Sequence, residues 1–111
     1  MLPKKQRLNR GLFNETLTDG RRYTAAYLSL SLLRKATNSR QFAFAVSKKT
    51  ARLAVTRNAM RRRGSAALAT FMPQIPPATL GVFFFKKGSE RLSLEELTQE
   101  IHTLLVRARI L

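Results

Sequence analysis

The chain has 111 residues, which suits one domain and leaves little room for a second. Lys and Arg number 21 against six Asp and Glu, a formal charge of +15, and residues 1–89 alone carry +16. The absence of cysteine excludes disulfides, thiolate metal sites and thiol nucleophiles.

The longest apolar run, residues 80–85, is far too short to cross a bilayer, and no apolar secretory segment follows the basic start. An apolar fraction of 44% separates the chain from disordered basic tails. A cytoplasmic domain whose partner is a polyanion is therefore expected, with no role at a membrane.

Residues 1–7 read as a basic segment, either flexible or ordered only against a partner. Leu12 and Phe13 stand one turn before Thr16 and Leu17, which predicts a short amphipathic helix closed by Gly20. Between residues 23 and 33, Leu28, Leu30 and Leu32 alternate with Tyr27, Ser29 and Ser31, the pattern of a half-buried strand, with room for an extra short strand after Gly20. Thr37, Asn38 and Ser39 read as a turn. Beyond it, Phe42, Phe44 and Val46 alternate with Gln41, Ala43, Ala45 and Ser47, so the two strands are expected to form an antiparallel hairpin.

The period then changes. Leu53, Met60, Gly64, Ala67 and Phe71 fall on one side of a helical wheel, while Asn58, Arg62 and Ser65 lie opposite and Arg57 and Arg61 on the flank. Gly64 on the apolar stripe suggests close packing, since glycine costs about 1 kcal/mol relative to alanine in a helix interior. Pro73, Pro76 and Pro77 end this segment. Residues 80–85 follow as a short buried strand. Ser93 with Glu96 forms a capping box, behind which Leu94, Leu97, Ile101, Leu104, Leu105 and Ala108 keep helical spacing. The order is helix, strands, helix, strand, helix: an α+β domain with a mainly antiparallel sheet.

Catalysis by side chains finds few candidates. Four of the six acids lie between Glu90 and Glu100, Glu96 is absorbed by its cap, Glu95 and Glu100 suit a solvated helix face, and the lone His102 borders an apolar stripe. No metal or cofactor is expected on protein side chains. The positive signal is basic: Lys48 and Lys49 at the end of a strand, then a helix presenting Arg57, Asn58, Arg61 and Arg62, flanked by Arg52 and Arg63. Guanidinium forks pair with phosphate oxygens, and an asparagine amide can both donate and accept towards bases or ribose. A solubility face would mix signs, yet no acid occurs between Asp19 and Glu90.

Ala45, Val46, Ser47, Lys48 and Lys49, followed by Thr56, Arg57, Asn58, Ala59, Met60, Arg61 and Arg62, resemble the signature of the bacterial ribonuclease P protein component. Leu2, Pro3, Lys4, Lys5, Arg7 and Leu8 are similar to that family's basic start, Phe13 and Gly20 to its first helix and turn. Residues 80–87 resemble its last strand and residues 92–97 the start of its final helix.

The resemblance implies a fold like ribosomal protein S5 domain 2, with a left-handed crossover around the arginine-rich helix where sequence alone would suggest the right-handed one. It implies a monomer that joins a catalytic RNA subunit, and removal of the 5′ leader from precursor tRNA with magnesium held through the RNA. By position, Arg52, Arg57, Asn58, Arg61, Arg62 and Arg63 would contact the RNA subunit. Phe13, Leu17, Lys48, Lys49, Phe85, Lys86 and Lys87 would line a cleft for the leader, over the flat face of Gln41, Ala43, Ala45 and Ser47. The chain departs from the family at Leu17, where a second aromatic is usual, at Gly64, where a larger apolar residue is expected, and near Ser65, where a further base is expected. Two other readings are a structural RNA-binding protein of the ribosome and a duplex-DNA binder. The second is disfavoured because a strand and a lysine-rich loop, rather than a partner helix, precede the arginine helix.

Overall fold

The computed structural model describes residues 2–35 and 40–111. Its main elements are α1 (Arg10–Asp19), β1 (Arg21–Thr24), β2 (Leu28–Arg34), β3 (Arg40–Ala45), α2 (Ala54–Ala69), β4 (Thr79–Phe85) and α3 (Leu94–Arg107). The four strands form one mixed sheet in the order β1-β2-β4-β3, antiparallel except for the β3–β4 pair. The α+β class and mainly antiparallel sheet expected from the sequence are present, and the extra strand after Gly20 is β1.

The expected hairpin is not. β4 lies between β2 and β3, which do not pair, and the turn assigned to Thr37, Asn38 and Ser39 lies outside the described residues. The physical reason is in β4 itself. Leu80, Val82, Phe83 and Phe85 are all buried, so both faces of this strand need cover and both edges need partners. β3 then runs parallel to it, which requires a long crossover, and α2 supplies it. The long strand expected over residues 23–33 is instead two strands, joined by a turn in which the Ala25 N–H donates to the Leu28 carbonyl at 2.9 Å.

Register assigns the faces. Leu28, Leu30 and Leu32 lie opposite Phe85, Phe83 and Gly81, which in turn neighbour Phe44 and Phe42 on β3. These residues form the main core with Leu97, Ile101, Leu104 and Leu105 of α3 and Met60, Ala67 and Leu68 of α2. Glycine opens room for rings twice: a Cβ at Gly81 would stand 2.7 Å from the Phe42 ring, and one at Gly64 2.7 Å from the Phe44 ring. Phe44 stacks on Phe83 with centroids 5.1 Å apart. The α2 stripe is shifted from its expected position. Leu53, the N-cap, is extended and 59% exposed, whereas Leu68 and Ser65 are buried.

The opposite face carries Gln41, Ala43 and Ala45 of β3, Leu80, Val82 and Phe84 of β4, and Ser29 and Ser31 of β2. Helix α1 packs here against β2 and β4, with Thr16 fully buried. Asn9 caps it by accepting from the Leu12 N–H at 2.8 Å. Gly20 ends α1 as expected, but its φ is −75°, not left-handed. Its merit is space, because a Cβ there would lie 2.3 Å from the Thr16 carbonyl oxygen. The basic start, expected to be flexible, lies along the edge of β3. Leu2 is buried, Arg7 bridges Phe42 in parallel, and the Leu8 N–H donates to the Phe42 carbonyl at 3.3 Å.

Gly64→Ala should destabilise the fold. The gain in helix propensity, about 1 kcal/mol, is smaller than the cost of displacing a ring stacked in the core, about 1–3 kcal/mol for overpacking. Urea denaturation of the variant should show a lower midpoint. A second expectation concerns α3. The Ser93 N–H donates to Glu96 Oε1 at 2.9 Å, and with the Ser93 side chain it holds the Glu96 carboxyl below its usual range. Glu96 therefore stabilises the fold above the ordinary carboxylate pKa and loses that contribution as pH falls through its own lowered value. Denaturation from neutral to acid pH should show this slope, and Glu96→Gln should flatten it.

Candidate nucleic-acid interface

The parallel pairing of β3 and β4 brings both strands out of the sheet at the same end, so the lysines that follow each strand share one rim. A tight turn follows β3: the Thr50 and Ala51 N–H groups both donate to the Ser47 carbonyl at 3.1 Å. Thr50 Oγ1 donates across to the Phe85 carbonyl at 3.3 Å, tying this turn to the end of β4. Lys48 and Lys49 are exposed on it, as is Lys87 beyond β4. Lys86 is half-buried and its ammonium already donates to the Ala25 carbonyl at 2.6 Å, so part of its duty is to hold the β1–β2 turn.

Behind this rim, α1 packs on β2 and β4 with its C-terminal end beside Leu32, and leaves open the outer face of β3, where Gln41, Ala43 and Ala45 are only partly buried, and part of Phe84 on β4. Phe13 is half-buried on α1 and Leu17 is 38% exposed. Small floor residues, an apolar wall and a cationic rim suit a single strand of nucleic acid, with bases inward and phosphates at the edge. Phe85 does not belong to this cleft. It is 5% exposed and packs in the main core, its ring 5.9 Å from that of Phe44. The aromatic on the cleft side is its neighbour Phe84, which residue-by-residue reading missed. Strict alternation from the buried Phe83 would have found it, had the run of three phenylalanines not read as wholly internal.

On the other layer, the arginines of α2 and of the loop before it divide between two tasks. Arg52 and Arg62 are exposed. The Arg61 guanidinium donates to Asn58 Oδ1, so these two side chains are held together on the surface. Arg57 is turned inward: its Nη1 donates to the carbonyls of Ala51 and Arg52 at 2.9 and 2.8 Å, bracing the loop that carries the lysines. Arg63 lies towards α3, its Nη1 reaching the Leu92 carbonyl at 3.4 Å. Ser65, expected on the polar side, is buried instead and helps line a small cavity of about 170 Å³ with Leu2, Arg7, Leu8, Phe42 and Arg61. The cluster therefore presents Arg52, Asn58, Arg61 and Arg62 outward, with Arg57 and Arg63 engaged by backbone oxygens.

The cationic charge is little compensated from within. Lys35 with Glu15, at 2.7 Å, is the one ion pair among the described residues. His102 is exposed, its ring 5.5 Å from that of Phe71. Among the described residues, no three of His, Cys, Asp and Glu gather in a way that could hold a metal ion, and no helix is long and apolar enough to cross a membrane.

Comparison with known proteins gives a consistent set of likenesses. The family model described as Ribonuclease P matches residues 2–109. The chain is 30% identical over 115 residues to the ribonuclease P protein component of Microcystis aeruginosa, covering 99% of this chain and 96% of that relative. To that of Clavibacter michiganensis it is 33% identical, covering 97% and 96%. Among solved structures, the fold is similar to the Staphylococcus aureus RNase P protein, with a TM-score of 0.85 at 16% identity over 96% of this chain and 98% of that one. The Thermotoga maritima RNase P protein matches with a TM-score of 0.81 at 19% identity, covering 91% and 96%.

The inward turn of Arg57 has a measurable consequence. Hydrogen bonds from a charged donor contribute about 1.5–3 kcal/mol, so Arg57→Ala should speed amide hydrogen exchange at Thr50 and Ala51 by about tenfold or more. The same measurement on Arg62→Ala should show no change in this loop.

Proposed function

This chain belongs to the ribonuclease P protein family, and from that premise we propose that it acts by binding two polyanions at once. One is the catalytic RNA subunit, met by Arg52, Asn58, Arg61 and Arg62. The other is the 5′ leader of precursor tRNA, laid across the open sheet face between α1 and the lysine rim. The observation that carries this reading is that the arginine helix and the open sheet face lie on opposite sides of the sheet, with the turn that bears Lys48 and Lys49 between them.

The division of labour follows from the chemistry available. Leader cleavage needs an activated water and stabilisation of a phosphorane-like charge, commonly the work of divalent ions. Side chains with that ability are sparse here, and the acids that exist are mostly at residues 90–100. The RNA subunit, with magnesium on its phosphates, is the proposed seat of the reaction. The protein supplies charge: placing +15 at the junction of two RNAs reduces their repulsion and lowers the magnesium concentration that the assembly needs. Its contacts release counterions, so affinity falls as salt rises.

Reconstitution tests this reading. Processing of a leader-bearing precursor tRNA by the RNA subunit at low magnesium should rise when the protein is added; no gain, under conditions where the RNA folds, would count against it. Arg61→Ala with Arg62→Ala should weaken binding to the RNA subunit and reduce the slope of log affinity against log salt by about 1.4–1.8 for two lost phosphate contacts. Phe13→Ala should cost the leader-bearing precursor at least about fivefold more affinity than mature tRNA, the low end of a lost base–aromatic stack.

A further inference from the structure

Phe84 is the one aromatic of β4 on the cleft side of the sheet, set between Ser29 on β2 and Ala45 on β3. Two residues along the same face of the neighbouring ribbon, Arg22 of β1 lies opposite Ser31. Its guanidinium reaches over Phe84, 4.8 Å from the ring centroid, and donates from Nη2 to Ser29 Oγ at 3.3 Å. Arg22 is an exposed residue, it has no carboxylate partner among the described residues, and Phe84 is partly open. Nothing in the core needs this arrangement, since the rings that pack there are Phe42, Phe44, Phe83 and Phe85.

We propose that Arg22 and Phe84 form a platform for one unpaired base of the leader, a positioning pair on the cleft floor. The inference rests on the leader-binding reading above and names the residues that hold one position of the leader. The argument is one of complementary surfaces. A guanidinium poised over a phenyl ring is backed by that ring and offers its own outer face, on which the π-face of any base can stack. Ser29 holds the guanidinium by one of its five donors, leaving others for the adjoining phosphate. α1 contributes Phe13 but an aliphatic Leu17, so Phe84 is the second aromatic surface facing this cleft. Arg22 also places a positive charge on the side of the floor away from Lys48 and Lys49, which a strand crossing the sheet would meet after leaving the rim.

An abasic site stepped through the leader of a precursor tRNA, bound to the holoenzyme, tests this directly. With the unaltered protein, one leader position should lose at least about fivefold in affinity when its base is removed. With Phe84→Leu, which keeps apolar bulk but no π-face, or Arg22→Ala, that penalty should shrink to less than about twofold. Arg22→Lys should restore the salt dependence of binding but not the penalty, because an ammonium has charge without a plane. Arg22 is exposed on an edge strand, so its variants keep the test open should Phe84→Leu perturb folding. Identical abasic profiles for the unaltered protein and the Arg22 variants would overturn the platform while leaving the leader-binding reading intact. Equal affinity of the unaltered holoenzyme for leader-bearing and mature tRNA would overturn both.

Discussion

The ring of Phe44 lodged against Gly64 is the contact on which the working surfaces depend. It lets α2 settle close to β3, and the same ring stacks on Phe83 in the central strand, so helix, edge strand and sheet centre are locked in one layer of packing. Because α2 is a rigid cylinder, fixing it at Gly64 also fixes where Asn58, Arg61 and Arg62 stand one or two turns away. The glycine costs helix propensity at a site where the helix carries several like charges. That sacrifice is intelligible only as a requirement of the sheet beneath.

The cations fall into two populations. Arg57, Arg63 and Lys86 spend hydrogen bonds on backbone oxygens of loops and turns, and so convert charge into local rigidity. Arg52, Arg62, Lys48, Lys49 and Lys87 remain exposed. The first population frames the second: Arg57 braces the loop that displays Lys48 and Lys49, and Lys86 secures the turn next to β1, from which Arg22 projects. Cations carried on braced backbone would lose less entropy on meeting phosphates than the same side chains on a mobile loop.

Much of the architecture could be read in advance, for physical reasons that differ by element. Helix α3 was plain because its stripe and its Ser93–Glu96 box agree. The basic motif was plain because Lys48, Lys49 and the arginines of α2 occur in a stretch without acids. Strand pairing was not legible. Alternation in β2 and β3 reports which face is buried but not which neighbour is hydrogen-bonded, and proximity in sequence wrongly favoured a hairpin. The site was half legible: residue type and spacing indicated cationic groups, but only geometry showed that Arg57 faces inward, that Phe85 is core, and that Phe84 lies under Arg22. Long flexible side chains can reach either way from one backbone position, so their partners are a tertiary property.

The central position of β4 also orders events during synthesis. β2 and β3 both wait for a strand that ends at Phe85, so the sheet cannot close until about three-quarters of the chain has been made. Until then the ribosome extrudes an open polycation, for the acids of α3 come later still. A polycation in that state attracts any polyanion nearby, and folding competes with such encounters until β4 enters between β2 and β3.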